Sequence, residues 1–380
     1  MQILTIDIGT GTQDIYLLRT GLSLENGYKL VMPSPTMIIR HQIQDATRRG
    51  ETLLLTGVTM GGGPCHWAAE AHLRAGYKLF ATPEAAQTFN DDLEWVRYEL
   101  GVEVVSEDEA AKLSHARRIE LLDFNFDAIA KSFAAFGVRL NPSAVAIAVF
   151  DHGAAPQNVS DRQFRFDYLQ AQIVAENKLS AFAFIPSAIP PFMTRMQAVA
   201  KSASAIECPI VVMDTAPSAI LGATLDPIVA KPSRVMILNI GNFHTLAFRL
   251  GPTGIEGVFE HHTGLIDLPK LETLIKTFAA NSLTRQEVFD DHGHGALILH
   301  SEPLPLPVNN FSVAVTGPRR TMMEGSKHRP YFAVPYGDMM LVGCFGLLMA
   351  VANHIQELEG PIRSALAGEG AETAPWDAVR

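Results

Sequence analysis

Cysteine is scarce in this chain of 380 residues. Cys65, Cys208 and Cys344 stand far apart, which excludes a disulfide framework and a cysteine-based zinc site. Basic clusters are missing too. The 30 lysines and arginines form no dense run and are outnumbered by 40 acidic residues, for a net charge of −10. Such a surface repels phosphate backbones, so nucleic acid is not an expected partner. The longest apolar run, residues 339–352, is too short to cross a bilayer and reads as a buried helix, so no membrane partner is expected. The opening MQILTIDIG reads directly as a strand with no basic or apolar leader, and a cytoplasmic protein is expected. What the chain does have is apolar bulk. Hydrophobic residues make up 47% and charged ones 18%, enough for two cores and too apolar for global disorder.

Within that bulk one pattern returns. LTIDIGTGTQDIYLLR at residues 4–19 is echoed by LNIGNFHTLAFRL at 238–250. In each copy a β-rich run ends in Asp7 or Asn239. A glycine-bearing turn follows (Gly9 and Gly11; Gly241), then a hydroxyl residue (Thr10 and Thr12; Thr245) and a second apolar strand. Glycine lets the backbone approach a ligand closely. Turn amides and hydroxyls can hold phosphate oxygens, and a carboxylate can hold hydrated Mg2+. Two such hairpins in two halves of a chain point to two phosphate-holding lobes; either one alone could be an ordinary glycine-rich turn.

The spacing predicts an α/β architecture. Lobe I is expected over residues 1–225, with an inserted α/β segment at about 40–140. Lobe II is expected over 226–337, a helix returning to lobe I over 338–360, and a tail over 361–380. Inside the insert, residues 84–100 read as one amphipathic helix, and 155–166 as a polar segment. Helices with small-residue faces are expected at 214–223 and 337–350, where two backbones could cross closely at a hinge. VAVTGPRR at 313–320 reads as a strand ending in Thr316-Gly317, followed by a helix whose N-terminal amides and arginines could face a nucleotide.

Two further groups stand out. Gly61-Gly62-Gly63 lies between a predicted strand and a predicted helix and could present amides to a substrate anion, or could be a tight structural turn; it lacks the Lys-Ser/Thr of a P-loop. Histidines accompany acidic residues at Asp151-His152, at His261-His262 and in Asp290-Asp291-His292-Gly293-His294. These donors suit a transition metal or general acid–base chemistry, and also suit plain solvated loops.

The order of motifs resembles the actin-like ATPase superfamily, which includes Hsp70 chaperones and sugar kinases. Residues 7–12 resemble its first phosphate motif, Ala216-Pro217-Ser218-Ala219 its first connecting helix, and Asn239, Gly241, Asn242 and Thr245 its second phosphate motif. Thr316-Gly317-Pro318 resembles the adenosine motif, and Gly343-Cys344-Phe345-Gly346 the second connecting helix. The resemblance covers the first 20 residues and most of 210–355. GVTMGGGP, FDHGAAPQNVSDRQFRF and DDHGHG further resemble a family within it labelled pyruvate formate-lyase-activating-like. Radical-SAM activation needs closely spaced thiolates, which this chain lacks.

The resemblance implies a two-lobed, ribonuclease H-like α/β fold holding ATP and Mg2+. Gly9, Thr10, Gly11, Thr12, Asn239, Gly241, Asn242, Thr245, Thr316 and Gly317 are the expected nucleotide ligands, and Gly61, Gly62 and Gly63 the expected substrate contacts. Asp7, Asp151 and His152 are the candidate catalytic groups. Asp7, His152, His262 and His292 are the candidate metal ligands, for Mg2+ or a transition metal. Asn239 departs from the superfamily's acidic residue, and an amide binds Mg2+ less strongly than a carboxylate and cannot act as its base. Three functions stay open: a slow ATPase or nucleotide-gated activator with a protein partner, a small-molecule phosphotransferase, and a metal-dependent enzyme using the Asp/His cluster.

Overall fold

The computed structural model describes residues 1–306, 311–369 and 374–376. Part of the Pro-rich connector and most of the expected tail lie outside these described residues. The strands are, in order, β1 (Gln2–Ile8), β2 (Thr12–Arg19), β3 (Tyr28–Pro33), β4 (Leu53–Gly57), β5 (Leu79–Ala81), β6 (Glu103–Val104), β7 (Arg117–Leu121), β8 (Ala144–Val149), β9 (Ala183–Phe184) and β10 (Ile210–Asp214). They continue as β11 (Val235–Ile240), β12 (His244–Gly251), β13 (Gly254–His262), β14 (Gly295–Ile298), β15 (Val313–Thr316) and β16 (Tyr331–Phe332).

Two six-stranded sheets repeat one plan, with orders β3-β2-β1-β8-β10-β9 and β14-β13-β12-β11-β15-β16. In each, the first strand of the echoed hairpin lies centrally. Its hairpin partner flanks it antiparallel (β2 or β12), and a strand arriving after a crossover flanks it parallel (β8 or β15). This doubled ribonuclease H-like topology is the two-lobed actin-like ATPase fold. Central strands such as AVAIAV in β8 are buried throughout, as a sheet covered on both faces requires. A separate four-stranded parallel sheet, β6-β5-β4-β7, is inserted between β3 and β8.

The two small-residue helices, Thr215–Ala223 and Val342–His354, cross with their backbones in contact. A Cβ on Gly222 would strike the Val342 carbonyl, and one on Gly346 would strike the Ser218 carbonyl. The Ser218 hydroxyl also donates to the Gly343 carbonyl at 2.8 Å. No helix among the described residues is long and apolar enough to cross a membrane.

Several expectations need correction. Residues 84–100 are not one helix: a short turn, Pro83–Ala86, ends before Asp92, which caps a new start by accepting the Glu94 amide at 2.9 Å. The supposed polar segment opens the helix Asp161–Ala175, whose Arg165, Phe166 and Leu169 are buried. After Gly317 there is only a 3-10 turn, Arg320–Met323, because Gly317 takes a left-handed φ of +100° that redirects the chain. The returning segment is two helices, and the second, Gln356–Leu366, extends into the residues expected as tail. The helix Pro35–Arg49 was not anticipated at all. Ser34 and Pro35 start it and Gly50 ends it, a capped pattern the sequence does carry.

Candidate functional site

Both hairpin turns open into one cleft of about 440 Å3. It is lined by Asp7, Gly9, Thr10, Gly11, Thr12, Asn239, Gly241, Asn242, Thr316 and Gly317, by Gly61, Gly62 and Gly63, and by Asp151 and His152. The sequence-derived groups therefore converge, with three exceptions among the named ligands. Thr245 is fully buried, and its hydroxyl pairs with that of Thr263 at 2.9 Å, so it braces β12 against the 3-10 turn after β13 and is absent from the cleft lining. His262 and His292 are absent from the lining as well.

The turns are fixed from behind. Ser34 begins the Pro35–Arg49 helix, and its amide donates to the Gly11 carbonyl at 3.1 Å while its hydroxyl donates to Thr10. Two residues on, the Thr36 hydroxyl donates to the Gly62 carbonyl at 2.6 Å, so one helix start holds both glycine loops. The Gly61 amide is itself used, donating to the Asp123 carboxylate, which is clamped by Arg195 at 2.7 and 3.0 Å.

Asp7 and Asp14 face one another across the β1–β2 register. Burial pushes the Asp7 carboxyl up to about 6, against a hydrogen bond from the Thr215 hydroxyl. Burial, and then the charge of Asp7, push Asp14 up to about 7. Asp14 Oδ1 is buried without a hydrogen-bond partner. Two crowded carboxylates with an orphaned oxygen form a pocket that a hydrated cation would satisfy. Asp14 is the residue the sequence reading left in the background. A second acid seven residues after Asp7, at hairpin spacing, was the available signal.

Asp151 is not placed to act as a base. One carboxylate oxygen accepts the Gly153 amide at 2.8 Å and the other the Met196 amide at 2.9 Å, so it shapes the loop after β8. His152, beside it, joins a different cluster from the one expected. One ring nitrogen each of His152, His244 and His294 lies within 4.8 Å of the others. Asp7 belongs to the opposite, carboxylate part of the cleft and is not in this group. His262 only packs against it, with ring centroids 4.7 Å from His294 and 5.0 Å from His244. His292 is exposed at a left-handed turn, and His294 two residues later occupies the buried position. His261, for its part, is held by Asp291 at 3.1 Å.

Behind the histidines lies a buried charge chain that sequence reading missed. Glu260 accepts from or pairs with His244 at 3.1 Å and reaches Arg165 Nε at 3.4 Å, while Arg165 also bonds Asp214. Burial alone would raise the Glu260 carboxyl, but His294, Arg165 and His244 outweigh it and hold it below the usual carboxylate range. Burial pushes His294 down to about 3 and His262 to about 4, and holds His152 well below its ordinary value. A glutamate inside the apolar run GVFEHH was the signal for this chain.

Residues 60–322 match the family described as "Putative pyruvate format-lyase activating enzyme (DUF1786)", and the chain belongs to it. No curated protein matches the chain. Among solved structures, it is similar to the ethanolamine utilization protein EutJ from Carboxydothermus hydrogenoformans, at 11% identity over 91% of this chain and 89% of that one, with a TM-score of 0.31. An exopolyphosphatase-like protein matches at 10% identity over 97% and 92%, with a TM-score of 0.26. The ROK hexokinase from Thermus thermophilus matches at 10% identity over 97% and 88%, with a TM-score of 0.24.

Proposed function

We propose that this protein binds ATP with Mg2+ in the cleft between its lobes and acts as a slow ATPase or nucleotide-gated activator of a protein partner. The observation that carries the reading is the pair of glycine turns, identically closed, facing one cleft beside the Asp7–Asp14 pocket. Asp7 and Asp14 would hold hydrated Mg2+, because their carboxylates are crowded together and one Asp14 oxygen has no hydrogen-bond partner among the described residues. The amides and hydroxyls of residues 9–12 and of Gly241 and Asn242 would cradle phosphates, and Thr316-Gly317 with Arg320 would border the nucleoside end. Bound Mg2+ would supply charge neutralisation at the phosphates.

Asn239 faces the same cleft with a neutral amide, so the second hairpin offers no carboxylate base or carboxylate ligand for Mg2+ where the first has Asp7. Turnover is expected to be slow, on the order of a thousandth of the ~10 s⁻¹ typical of enzymes. A small-molecule phosphotransferase using Asp151 is disfavoured, since both its oxygens already hold amides. Radical-SAM chemistry is not part of the proposal. Cys65 packs in the core of the inserted sheet, Cys344 in the connecting helix and Cys208 at the start of β10, so no three thiolates meet.

Titration calorimetry of the full chain with ATP and with ADP, each with millimolar Mg2+, tests the reading. One site per chain is expected. No heat with either nucleotide would overturn it.

A further inference from the structure

Nucleotide binding leaves the histidine cluster unused. His152 follows β8, His244 opens β12 and His294 precedes β14, so three distant segments bring imidazoles to one point. His294 is fully buried, and neither of its ring nitrogens has a hydrogen-bond partner. Buried polar atoms are rarely left in that state, and beside two further imidazoles within reach a metal ion is a partner that would satisfy this ring. Support from behind is also present. His244 Nδ1 lies 3.1 Å from Glu260 Oε1, which fixes the tautomer and leaves the lone pair on Nε2. A carboxylate behind a histidine is the usual means of orienting a metal-binding ring.

We propose that His152, His244 and His294 bind one divalent transition metal ion of the zinc, cobalt or ferrous type, with Glu260 orienting His244. The donor set selects the metal. Three imidazoles suit these ions, whereas Mg2+ prefers oxygen ligands and goes to the carboxylates of Asp7 and Asp14. His152 and His244 line the cleft while His294 forms its buried back. A three-histidine site leaves a coordination position open, as catalytic zinc sites do, and with His152 and His244 both in the cleft wall that position would be within reach of the cleft. The ligand it would take there is an anionic or carbonyl oxygen of a substrate bound beside the phosphate turns. His244 also closes the second turn, since its carbonyl accepts the Gly241 amide at 2.9 Å. Metal at His244 therefore stiffens the same turn that would cradle phosphate.

The test uses the metal alone, so it stands whether or not nucleotide binds. Full-length protein stripped with chelator is titrated with Co2+, followed by visible absorption and by elemental analysis after desalting. One Co2+ per chain is expected, displaced by Zn2+ and not by Mg2+. His294→Gln and His152→Gln should each weaken uptake at least tenfold, and Glu260→Gln by about 10–100-fold. His292→Gln should bind as wild type does. Circular dichroism checks the fold of each variant. If burial makes His294→Gln or Glu260→Gln unfold, His152→Gln, only half-buried, carries the test. Wild type that takes up neither Co2+ nor Zn2+ overturns the proposal, as does His152→Gln binding that equals wild type or a loss in His292→Gln that matches it.

Discussion

In the β1–β2 hairpin the Gly9 amide donates to the Thr12 carbonyl at 2.9 Å, and in β11–β12 the Gly241 amide donates to the His244 carbonyl at the same 2.9 Å. The two backbones turn alike. The side chains they carry at matching places differ: Asp7 faces Asp14 in the first, and Asn239 faces Leu246 in the second. Thr12 in the first turn corresponds to His244 in the second, and Gln13 to Thr245. One repeated frame has thus been given a carboxylate pocket on one side and an amide with a histidine on the other. The frame sets where a ligand can sit; the paired positions decide which cation can follow it.

Making the first hairpin resemble the second should have the largest effect. Asp7→Asn is expected to weaken Mg-ATP binding by about 1–3 kcal/mol, the range for losing a charge-assisted contact, as read by calorimetry. An unchanged affinity would mean that the carboxylate pocket is not what separates the two hairpins. The reverse exchange, Asn239→Asp, should raise single-turnover ATP hydrolysis about tenfold, equivalent to about 1.4 kcal/mol in the barrier. If Asn242, His244 or Asp14 already fills the missing role, the wild-type rate is ordinary and the exchange does little.

A third exchange sharpens the pocket itself. The Asp14 carboxyl is raised from 3.8 to about 7, so its folded-state contribution is fully present below about 3.8 and is lost as pH rises through about 7. Asp14→Asn should therefore melt a few degrees above wild type at pH 8 in chelator, with the gap closing toward pH 4. Adding Mg2+ should stabilise wild type more than the variant; equal responses would remove Asp14 from the cation site. The smallest effect is expected at Thr245. Thr245→Val should leave nucleotide affinity within error and cost about 1 kcal/mol of stability in denaturant melts, the net worth of one buried hydrogen bond. A clear loss of ATP affinity would return Thr245 to the ligand set.

The hairpins were legible because their signal is local: alternation into an acid or amide, then glycine at a turn. The cleft followed from their duplication. The histidine cluster was only half legible. His152, a member of the expected set, is in it, but choosing between His292 and His294 needs the pairing of β13 with β14, where Glu260 lies opposite Gly295 and turns His294 inward. Nothing near His292 in sequence fixes that register. Arg165 was unreadable for a similar reason. An arginine between Phe164 and Phe166 looks like a surface residue until Asp214 and Glu260, distant in sequence, supply its counter-charges. The false helix at 84–100 came from trusting periodicity over the Asn90-Asp91-Asp92 cluster, which offers the chain a cap in place of another turn.

The Arg165 chain also bears on how the protein comes apart. Arg165 rises from the helix after β8, grips Asp214 at the end of β10 and reaches across to Glu260 on β13, and all three side chains are excluded from water. Withdrawing one partner from such a buried set costs about 3–5 kcal/mol, since it leaves a charge uncompensated in a dry interior. Melting the second lobe withdraws Glu260, and melting the first withdraws Arg165, so neither half can unfold at leisure beside an intact neighbour. Although built on two separate sheets, the chain is expected to give a single endotherm in scanning calorimetry, with van't Hoff and calorimetric enthalpies in agreement. Arg165→Met should be the change that splits that endotherm in two, uncoupling halves that topology alone would have let melt independently.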